Sequence, residues 1–167
     1  WSSDATGKIT PKAYDGSRYC HCFKDHGSGW EEAIAVNSKS SELSAEAAEK
    51  FMLNVKRWPT KWASAQDREY LGAFKKKLVD HGCTDFKMCN RESPWENGDC
   101  EGRVNKLKIS MKKNMYSSKA VDVVWPACAH WVNDTNNVCS GAWEKVHGQK
   151  SYLRVMRNLA EFGTKVS

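Results

Sequence analysis

The chain has 167 residues, of which 40% are hydrophobic and 28% charged, and its formal net charge is +6. These proportions are typical of one globular domain of ordinary size. The mean hydropathy is −0.70, and no apolar run approaches the ~18 residues that a membrane span needs. Composition therefore excludes a membrane protein, a collagen-like repeat and a wholly disordered chain.

The first elements of the chain are a polar arm and a short strand. Residues 1–16 are small and polar, and we expect a flexible N-terminal arm ahead of a single α+β domain over residues 17–167. The run from Tyr19 to Phe23 alternates in the way that favours a strand, with Cys20 and Cys22 on one face and His21 on the other.

Two helices are predicted next. Apolar residues recur at helical spacing from Leu43 to Trp58, and Pro59 is expected to end that helix. The run Ser64-Ala65-Gln66-Asp67 resembles a capping box and predicts a second helix that Gly82 terminates. Its buried side would carry Tyr70, Leu71, Phe74 and Leu78.

The last third of the chain is expected to add a hairpin and a final helix. Leu107, Ile109 and Met111 alternate with polar residues, and Val121 to Trp125 forms a second candidate strand, which Pro126 would end. A helix is predicted from Ser151 to Phe162. The grouping of these elements predicts an α+β fold: an antiparallel sheet with two to three helices packed on it.

Seven cysteines indicate an oxidising compartment. No Cys-x-x-Cys pair is present, so we expect about three disulfides and no metal site. Two cysteines side by side on a strand face cannot easily bond each other, so each would reach a different partner. The chain opens at Trp1 without a methionine, which we interpret as a cleaved secretory signal. Six of the seven cysteines would be bridged, with the pairing left open: Cys20, Cys22, Cys83, Cys89, Cys100, Cys128 and Cys139.

Several surface features point to binding. Asn133-Asp134-Thr135 is a glycosylation sequon, which makes Asn133 a candidate glycan acceptor on a surface loop. Trp58 and Trp125 are predicted to lie in the core. Tryptophans in loops offer contact area at small entropic cost, and the candidates for sugar or protein binding are Trp95, Trp131 and Trp143.

A catalytic alternative rests on two histidines near an acid. Metal-free RNA cleavage needs a general base, a general acid and a cation, and His130, His147 and Glu144 are the candidate catalytic residues. The segment from Ala142 to Gly148 resembles the catalytic signature of T2-type ribonucleases, although Val146 separates Lys145 from His147 and no histidine precedes Trp125-Pro126.

The whole chain resembles, in style, the small cysteine-rich effectors that plant-pathogenic fungi secrete. The resemblance rests on Tyr19-Cys20-His21-Cys22, the odd cysteine number and the lack of an established enzyme motif. It implies a secreted virulence-type protein, either extracellular or translocated into host cells, that acts on a host protein or is recognised by a host receptor. We expect a monomer without cofactor and without nucleic-acid or membrane partners. A secreted ribonuclease and a glycan-binding module are the alternatives.

Overall fold

The fold is α+β, as the sequence predicts, and is seen in a computed structural model that describes residues 1–65, 67–89 and 94–148, apart from the side chains of 94–97, 99 and 100. The strands are β1 (Ser2–Ala5), β2 (Tyr19–Lys24), β3 (Glu31–Val36), β4 (Lys61–Ala65) and β5 (Asp85–Cys89). The α-helices are α1 (Ser41–Val55), α2 (Ala73–Asp80), α3 (Pro94–Ser118), α4 (Trp125–Cys139) and α5 (Ala142–His147).

The sheet is mixed, and the expectation of a purely antiparallel sheet is wrong. The five strands lie in the order β3-β2-β1-β4-β5. Strands β1, β2 and β3 pair antiparallel, whereas β4 pairs parallel with both β1 and β5. Parallel neighbours need crossover connections, and α1 and α2 lie in the segments before and after β4. Strand β1 is the central strand of the five.

Residues 1–16 are not simply a flexible arm, because β1 is the central strand of the sheet. Ser2 pairs with Lys24 on one side and Ala63 on the other. Ser3 is completely buried, and the indole Nε1 of Trp62 donates to its hydroxyl at 2.9 Å. Small polar residues are accommodated here because a neighbouring side chain satisfies their hydrogen bonds.

Helix α1 confirms the predicted apolar stripe. The Ser40 hydroxyl accepts from the amide of Leu43 at 3.2 Å and caps the helix, which ends before Lys56 in a left-handed conformation. Phe51 and Met52 are fully buried against the sheet. Trp58, which we predicted in the core, is 44% exposed, and its ring stacks on His81 instead.

Strand β2 alternates as predicted and separates two cores. His21 and Phe23 are buried on the side of α1 and α2. Cys20 and Cys22 belong to the second core, with α3 and α4. The sheet is thus covered by helices on both faces, which explains why little of β2 is exposed.

The predicted hairpin is wrong, because its two strands are helical. Leu107 and Met111 lie on α3 and are buried, whereas Ile109 between them is 56% exposed. Leu107 and Met111 lie four residues apart, which is about one helical turn. Over so short a run, the same spacing also fits the two-residue alternation of a strand, which is why the sequence pattern predicted one. Pro126 occupies the first turn of α4, a position that suits proline, rather than ending a strand.

The segment after Ser64 also differs from its prediction. Strand β4 runs through Ala65, a 3-10 turn spans Arg68–Tyr70, and α2 begins only at Ala73. The inward positions of Tyr70, Phe74 and Leu78 are confirmed, but Leu71 is 44% exposed, because it lies in the turn before α2 rather than on the helix. The predicted helix from Ser151 to Phe162 lies outside the described residues. In the part of the chain that is described, no helix combines the length and apolarity that crossing a bilayer requires.

The expected disulfide frame is not found. None of the six cysteines with described side chains forms a disulfide with another described residue. Cys20 and Cys22 lie side by side on β2, and the hydrogen bond between them together with burial raises the pKa of the Cys20 thiol. Burial raises the pKa of Cys128 to about 11. Both thiols are therefore inert at neutral pH.

Reduction is accordingly expected to leave the melting temperature unchanged. Cys139 is the exposed thiol among the six described cysteines, so iodoacetamide should alkylate it before the other five in the native protein. Peptide mass spectrometry after timed alkylation measures this order, and calorimetry with and without reductant measures the stability. A sharp fall in melting temperature on reduction would show instead that disulfides stabilise the fold.

Candidate functional site

Asp4 is an acidic residue on the central strand. It lies opposite Cys22 in the β1–β2 pair, and residues opposite each other on neighbouring strands project to the same face. Asp4 therefore faces the side of the sheet that α3 covers. Its Oδ1 accepts a hydrogen bond from the amide of Ala5 at 2.8 Å.

Several charges converge on Asp4. Burial raises the pKa of Asp4, and the negative charges of Glu101 and Glu69 raise it further. The hydrogen bond from the amide of Ala5 and the positive charge of Lys39 lower it. The net result is a pKa above the ordinary value of aspartate. Glu101 lies on α3 and Glu69 in the turn after β4. The charges of two carboxylates from other elements thus act on the pKa of Asp4, although they are far from it in the sequence.

The turn after β4 supplies Glu69 and one further acid, Asp67. Strands β1 and β4 are parallel, so their carboxyl ends meet at one edge of the sheet, where open α/β sheets place their ligand sites. Asp67 and Glu69 follow β4 directly. Glu69 is 7% exposed, and the ammonium of Lys39 lies 2.9 Å from its Oε1. We call Asp4, Asp67, Glu69 and Glu101 the acidic edge.

The acidic edge has the donor chemistry of a hard divalent cation. Carboxylate oxygens are the protein ligands that Mg²⁺ prefers, and Mg²⁺ is often held by one or two carboxylates plus substrate phosphates. Within the described ranges, no group of three His, Cys, Asp or Glu side chains forms a ready-made metal cage. A cation at the acidic edge would therefore need further ligands from a substrate or from solvent.

Sequence reasoning missed the acidic edge entirely. The sequence pattern places Asp4 in a flexible arm and Asp67 in a capping box. The signal that could have found them is an acid at the carboxyl end of two strands, but it depends on recognising Ser2–Ala5 and Lys61–Ala65 as parallel neighbours.

Two of the candidate ribonuclease residues, His130 and His147, feel the charge of the same carboxylate, that of Asp134. Nδ1 of His130 on α4 lies 3.4 Å from Oδ2 of Asp134, and this hydrogen bond raises the pKa of His130. Burial lowers the pKa of His147 on α5, while the charge of Asp134 opposes that decrease. The His147 ring contacts Trp30 and Trp143. Glu144 is exposed, and none of the interactions found for the two histidines involves it.

The candidate binding tryptophans are not displayed on loops. Trp131 lies on α4 and packs against the second core, and Trp143 on α5 packs against the first. The side chain of Trp95 lies outside the described residues. Trp125 is 2% exposed, as predicted for the core, but belongs to α4 rather than to a strand. The structure offers no support for a sugar platform built from Trp131 and Trp143.

Asn133 does not lie on a surface loop as the sequon suggested. It is 5% exposed on α4, and its amide donates to the carbonyl oxygen of Ala129 at 2.7 Å. A glycan on this nitrogen would require that hydrogen bond to break and α4 to move from the sheet.

A buried histidine braces the sheet near the acidic edge. His21 Nδ1 lies 3.2 Å from the Tyr70 hydroxyl, and Nε2 lies 3.1 Å from the Ser44 hydroxyl. Burial lowers the pKa of His21 to about 4; Glu69 partly opposes the decrease, and Lys39 adds to it. The neutral ring therefore joins β2 to α1 and to the turn that carries Glu69.

Comparisons with known proteins relate the chain by fold alone. No protein-family model matches the sequence, and no curated protein matches it. The HTLV-2 integrase catalytic core domain in complex with magnesium matches in its trimeric form with a TM-score of 0.63 and 16% identity, over 88% of this chain and 95% of that one. Its dimeric form gives 0.62 and 16%, over 89% and 94%.

A chain of a larger assembly is also similar in fold. A chain of the simian T-cell lymphotropic virus intasome in complex with PP2A regulatory subunit B56 gamma matches with a TM-score of 0.61 and 16% identity over 77% of this chain. This sequence spans 46% of that chain, a little under half. The β3-β2-β1-β4-β5 sheet with helices on both faces is thus similar in fold to the HTLV-2 integrase catalytic core domain.

Proposed function

We propose that this chain is a divalent-cation-dependent phosphoryl-transfer domain that acts on nucleic-acid strands at the acidic edge. The observation that carries the proposal is the half-buried carboxylate of Asp4 on the central strand, which faces the side of the sheet that α3 covers; the negative charge of Glu101 on α3 is among the causes that raise its pKa. The fold adds support, because structures of similar topology are integrase core domains in complex with magnesium. The proposal replaces our expectation from sequence that no nucleic acid is a partner.

The charge distribution suits a polyanionic substrate. Four exposed lysines follow Glu101 along α3: Lys106, Lys108, Lys112 and Lys113. The net charge of +6 attracts a phosphate backbone independently of its sequence. A strand lying along α3 would approach the acidic edge with its phosphates neutralised.

Each acidic residue would have a separate task. Asp4 and Glu101 would hold the cation, with Asp67 placed by strand register at the same edge. A cation there would polarise a phosphoryl oxygen and lower the pKa of a bound water. Glu69 is held by Lys39 and acts as a positioning residue: its charge bears on Asp4 and on the His21 network.

Manganese binding tests the proposal directly. Mn²⁺ is a spectroscopic substitute for Mg²⁺, and Glu101→Gln should weaken its binding on the order of 100-fold, since even supporting partners of metal ligands contribute 10- to 100-fold. The matched control is Glu46→Gln, which removes an exposed carboxylate on α1 and should change the affinity less than about twofold. Titration calorimetry or Mn²⁺ relaxation gives both affinities, and equal losses in the two variants would contradict the proposal.

Cleavage or joining of nucleic-acid strands should likewise depend on a divalent cation. Activity on a labelled oligonucleotide is expected with Mg²⁺ or Mn²⁺, and none in EDTA. The metal-free ribonuclease hypothesis predicts the opposite: RNA cleavage in EDTA that His147→Ala abolishes. Secretion, and action on a host protein in the manner of an effector, stay predictions that pull-down from host extracts can test.

A further inference from the structure

A groove lies along the second half of α3, between that helix, the segment that follows β1 and the beginning of α4. Its volume is about 700 Å³, within the range of small-ligand sites. Thr6 lies in its wall and follows Asp4 by two residues, which is about 7 Å of extended chain. The groove, which we call the α3 groove, therefore adjoins the acidic edge.

The floor of the α3 groove is apolar. Met111 is 7% exposed and belongs to the second core, and Ile9 and Met115 pack against the same core. Methionine side chains are adaptable and polarizable, and their sulfur atoms make favourable contacts with aromatic rings. This floor suits a flat apolar or aromatic group rather than a charged one.

Tyr116 stands beside this floor, near the carboxyl end of α3, and is 87% exposed. Burial of apolar surface is what makes a large side chain stabilising, so a ring that stays in water contributes little to the fold. An exposed aromatic face next to an apolar floor instead offers a place where a planar ring can stack.

The α3 groove also carries net positive charge. Three exposed lysines line it: Lys108, Lys112 and Lys119. None of them forms an ion pair with a described residue, and Asp122 is the one acid among the described residues of the lining. Residues four apart are neighbours on a helix face, so Lys108, Lys112 and Tyr116 form one stripe along α3.

A purely structural role explains only part of this arrangement. The methionines complete the second core, and exposed lysines keep a helix face in water. Neither accounts for a tyrosine that buries almost none of its ring beside a groove of this size. Basic side chains that follow a phosphate backbone, together with an aromatic ring on which a base stacks, are characteristic of single-strand binding. A duplex would use the lysines but not the ring, because its bases are already stacked on one another.

We propose that the α3 groove binds an unpaired nucleotide of the strand that reacts at the acidic edge. The base lies against Tyr116 and the methionine floor, and Lys108 and Lys112 neutralise the adjoining phosphates. The proposal rests on the function proposed above, and it names single-stranded rather than duplex nucleic acid as the substrate class.

Fluorescence anisotropy of a labelled oligothymidylate measures this binding in EDTA, so that no cation at the acidic edge contributes. At physiological salt the oligothymidylate should bind roughly 10-fold more tightly than an abasic strand with the same number of phosphates, which is the effect of stacking one base. A blunt duplex and polyglutamate of the same net charge should also bind more weakly. Equal binding by the abasic strand, the duplex or polyglutamate would overturn the proposal.

Tyrosine variants locate the base. Tyr116→Ala should weaken the binding of oligothymidylate roughly 10-fold and leave the binding of the abasic strand unchanged. Tyr116→Phe keeps the ring and should change either affinity by less than about twofold. Because the side chain is exposed, neither substitution should alter the fold. Equal losses for the two strands in Tyr116→Ala would contradict stacking on this ring.

Lysine variants locate the phosphates. Lys112→Gln should reduce the slope of log affinity against log salt concentration by about 0.7, the value for one phosphate of a single strand. Lys76→Gln removes the same charge from an exposed position on α2, across the sheet from α3, and should leave the slope unchanged. An equal change of slope in the two variants would show that the strand does not lie along the α3 groove.

Mn²⁺ binding distinguishes a failure of this inference from a failure of the proposed function. If Glu101→Gln weakens Mn²⁺ binding but the oligothymidylate and the abasic strand bind alike, the α3 groove is not a nucleotide site and the cation site stands. If Mn²⁺ does not bind but Tyr116→Ala still loses affinity for the oligothymidylate alone, the groove binds single strands and the proposed phosphoryl transfer is wrong.

Discussion

Asp4→Asn is expected to abolish divalent-cation binding and, at the same time, to stabilise the metal-free protein. Removing a carboxylate from the acidic edge takes away a ligand, so Mn²⁺ affinity and any strand cleavage should fall on the order of 100-fold or more. The same change removes a negative charge that is partly buried and lies near Glu101 and Glu69. A site residue that costs stability is typical of residues retained for function.

The sign of the stability effect follows from the pKa of Asp4. Burial, together with the charges of Glu101 and Glu69, raises the pKa of Asp4 above its ordinary value of 3.8. The folded state therefore binds the proton more tightly than the unfolded state, and this contribution to stability is lost as the pH rises through the folded pKa. At neutral pH the ionised Asp4 opposes folding, and asparagine relieves this. The difference between the two proteins should vanish in acid, where both forms are uncharged.

Thermal unfolding in EDTA and in excess Mg²⁺ measures both effects together. In EDTA the Asp4→Asn variant should melt at a higher temperature than the wild type. In Mg²⁺ at 100 times its dissociation constant, the wild type should gain about 2.7 kcal/mol and the variant nothing. Asp80→Asn, an exposed acid at the end of α2, should alter stability by less than about 0.5 kcal/mol and keep the Mg²⁺ response. A variant that responds to Mg²⁺ like the wild type would show that Asp4 is not a ligand.

Elements with a strong local pattern could be predicted from the sequence. Helix α1 carries a complete apolar stripe and the Ser40 cap, and β2 carries strict alternation between two cores. Strand β1 has no such pattern. Ser2, Ser3 and Asp4 read as a loop, because their burial depends on Trp62 and on strands that pair from far along the chain.

The acidic edge was hidden for the same reason. Asp4, Asp67 and Glu101 lie far apart in the sequence, and only the parallel pairing of β1 with β4 and the position of α3 bring their elements together. The number of cysteines led to a different wrong expectation, that of a disulfide frame. Cys20 and Cys128 serve as small apolar residues in the second core, a common role for buried thiols.

His21 should make the folded protein sensitive to mild acid. Its ring is fully buried between Ser44 and Tyr70, and burial lowers its pKa from 6.5 to about 4. Below pH 6.5 the unfolded chain takes up a proton that the folded chain does not, so stability falls as the pH drops through this window. A shift of this size corresponds to roughly 3 kcal/mol.

Comparing the wild type with His21→Gln separates the loss of stability caused by His21 from the losses caused by other titrating groups. The glutamine cannot titrate, so between pH 7 and pH 4 the wild type should lose roughly 3 kcal/mol more than the variant in urea unfolding. If the variant does not fold, the imidazole of the wild type can be titrated by NMR, where its pKa should lie near 4. A pKa near 6.5 would mean that the ring is hydrated. The hydrogen bonds that join β2 to α1 and to the turn of Glu69 would then not form, and Glu69 would lose the support that places its charge beside Asp4.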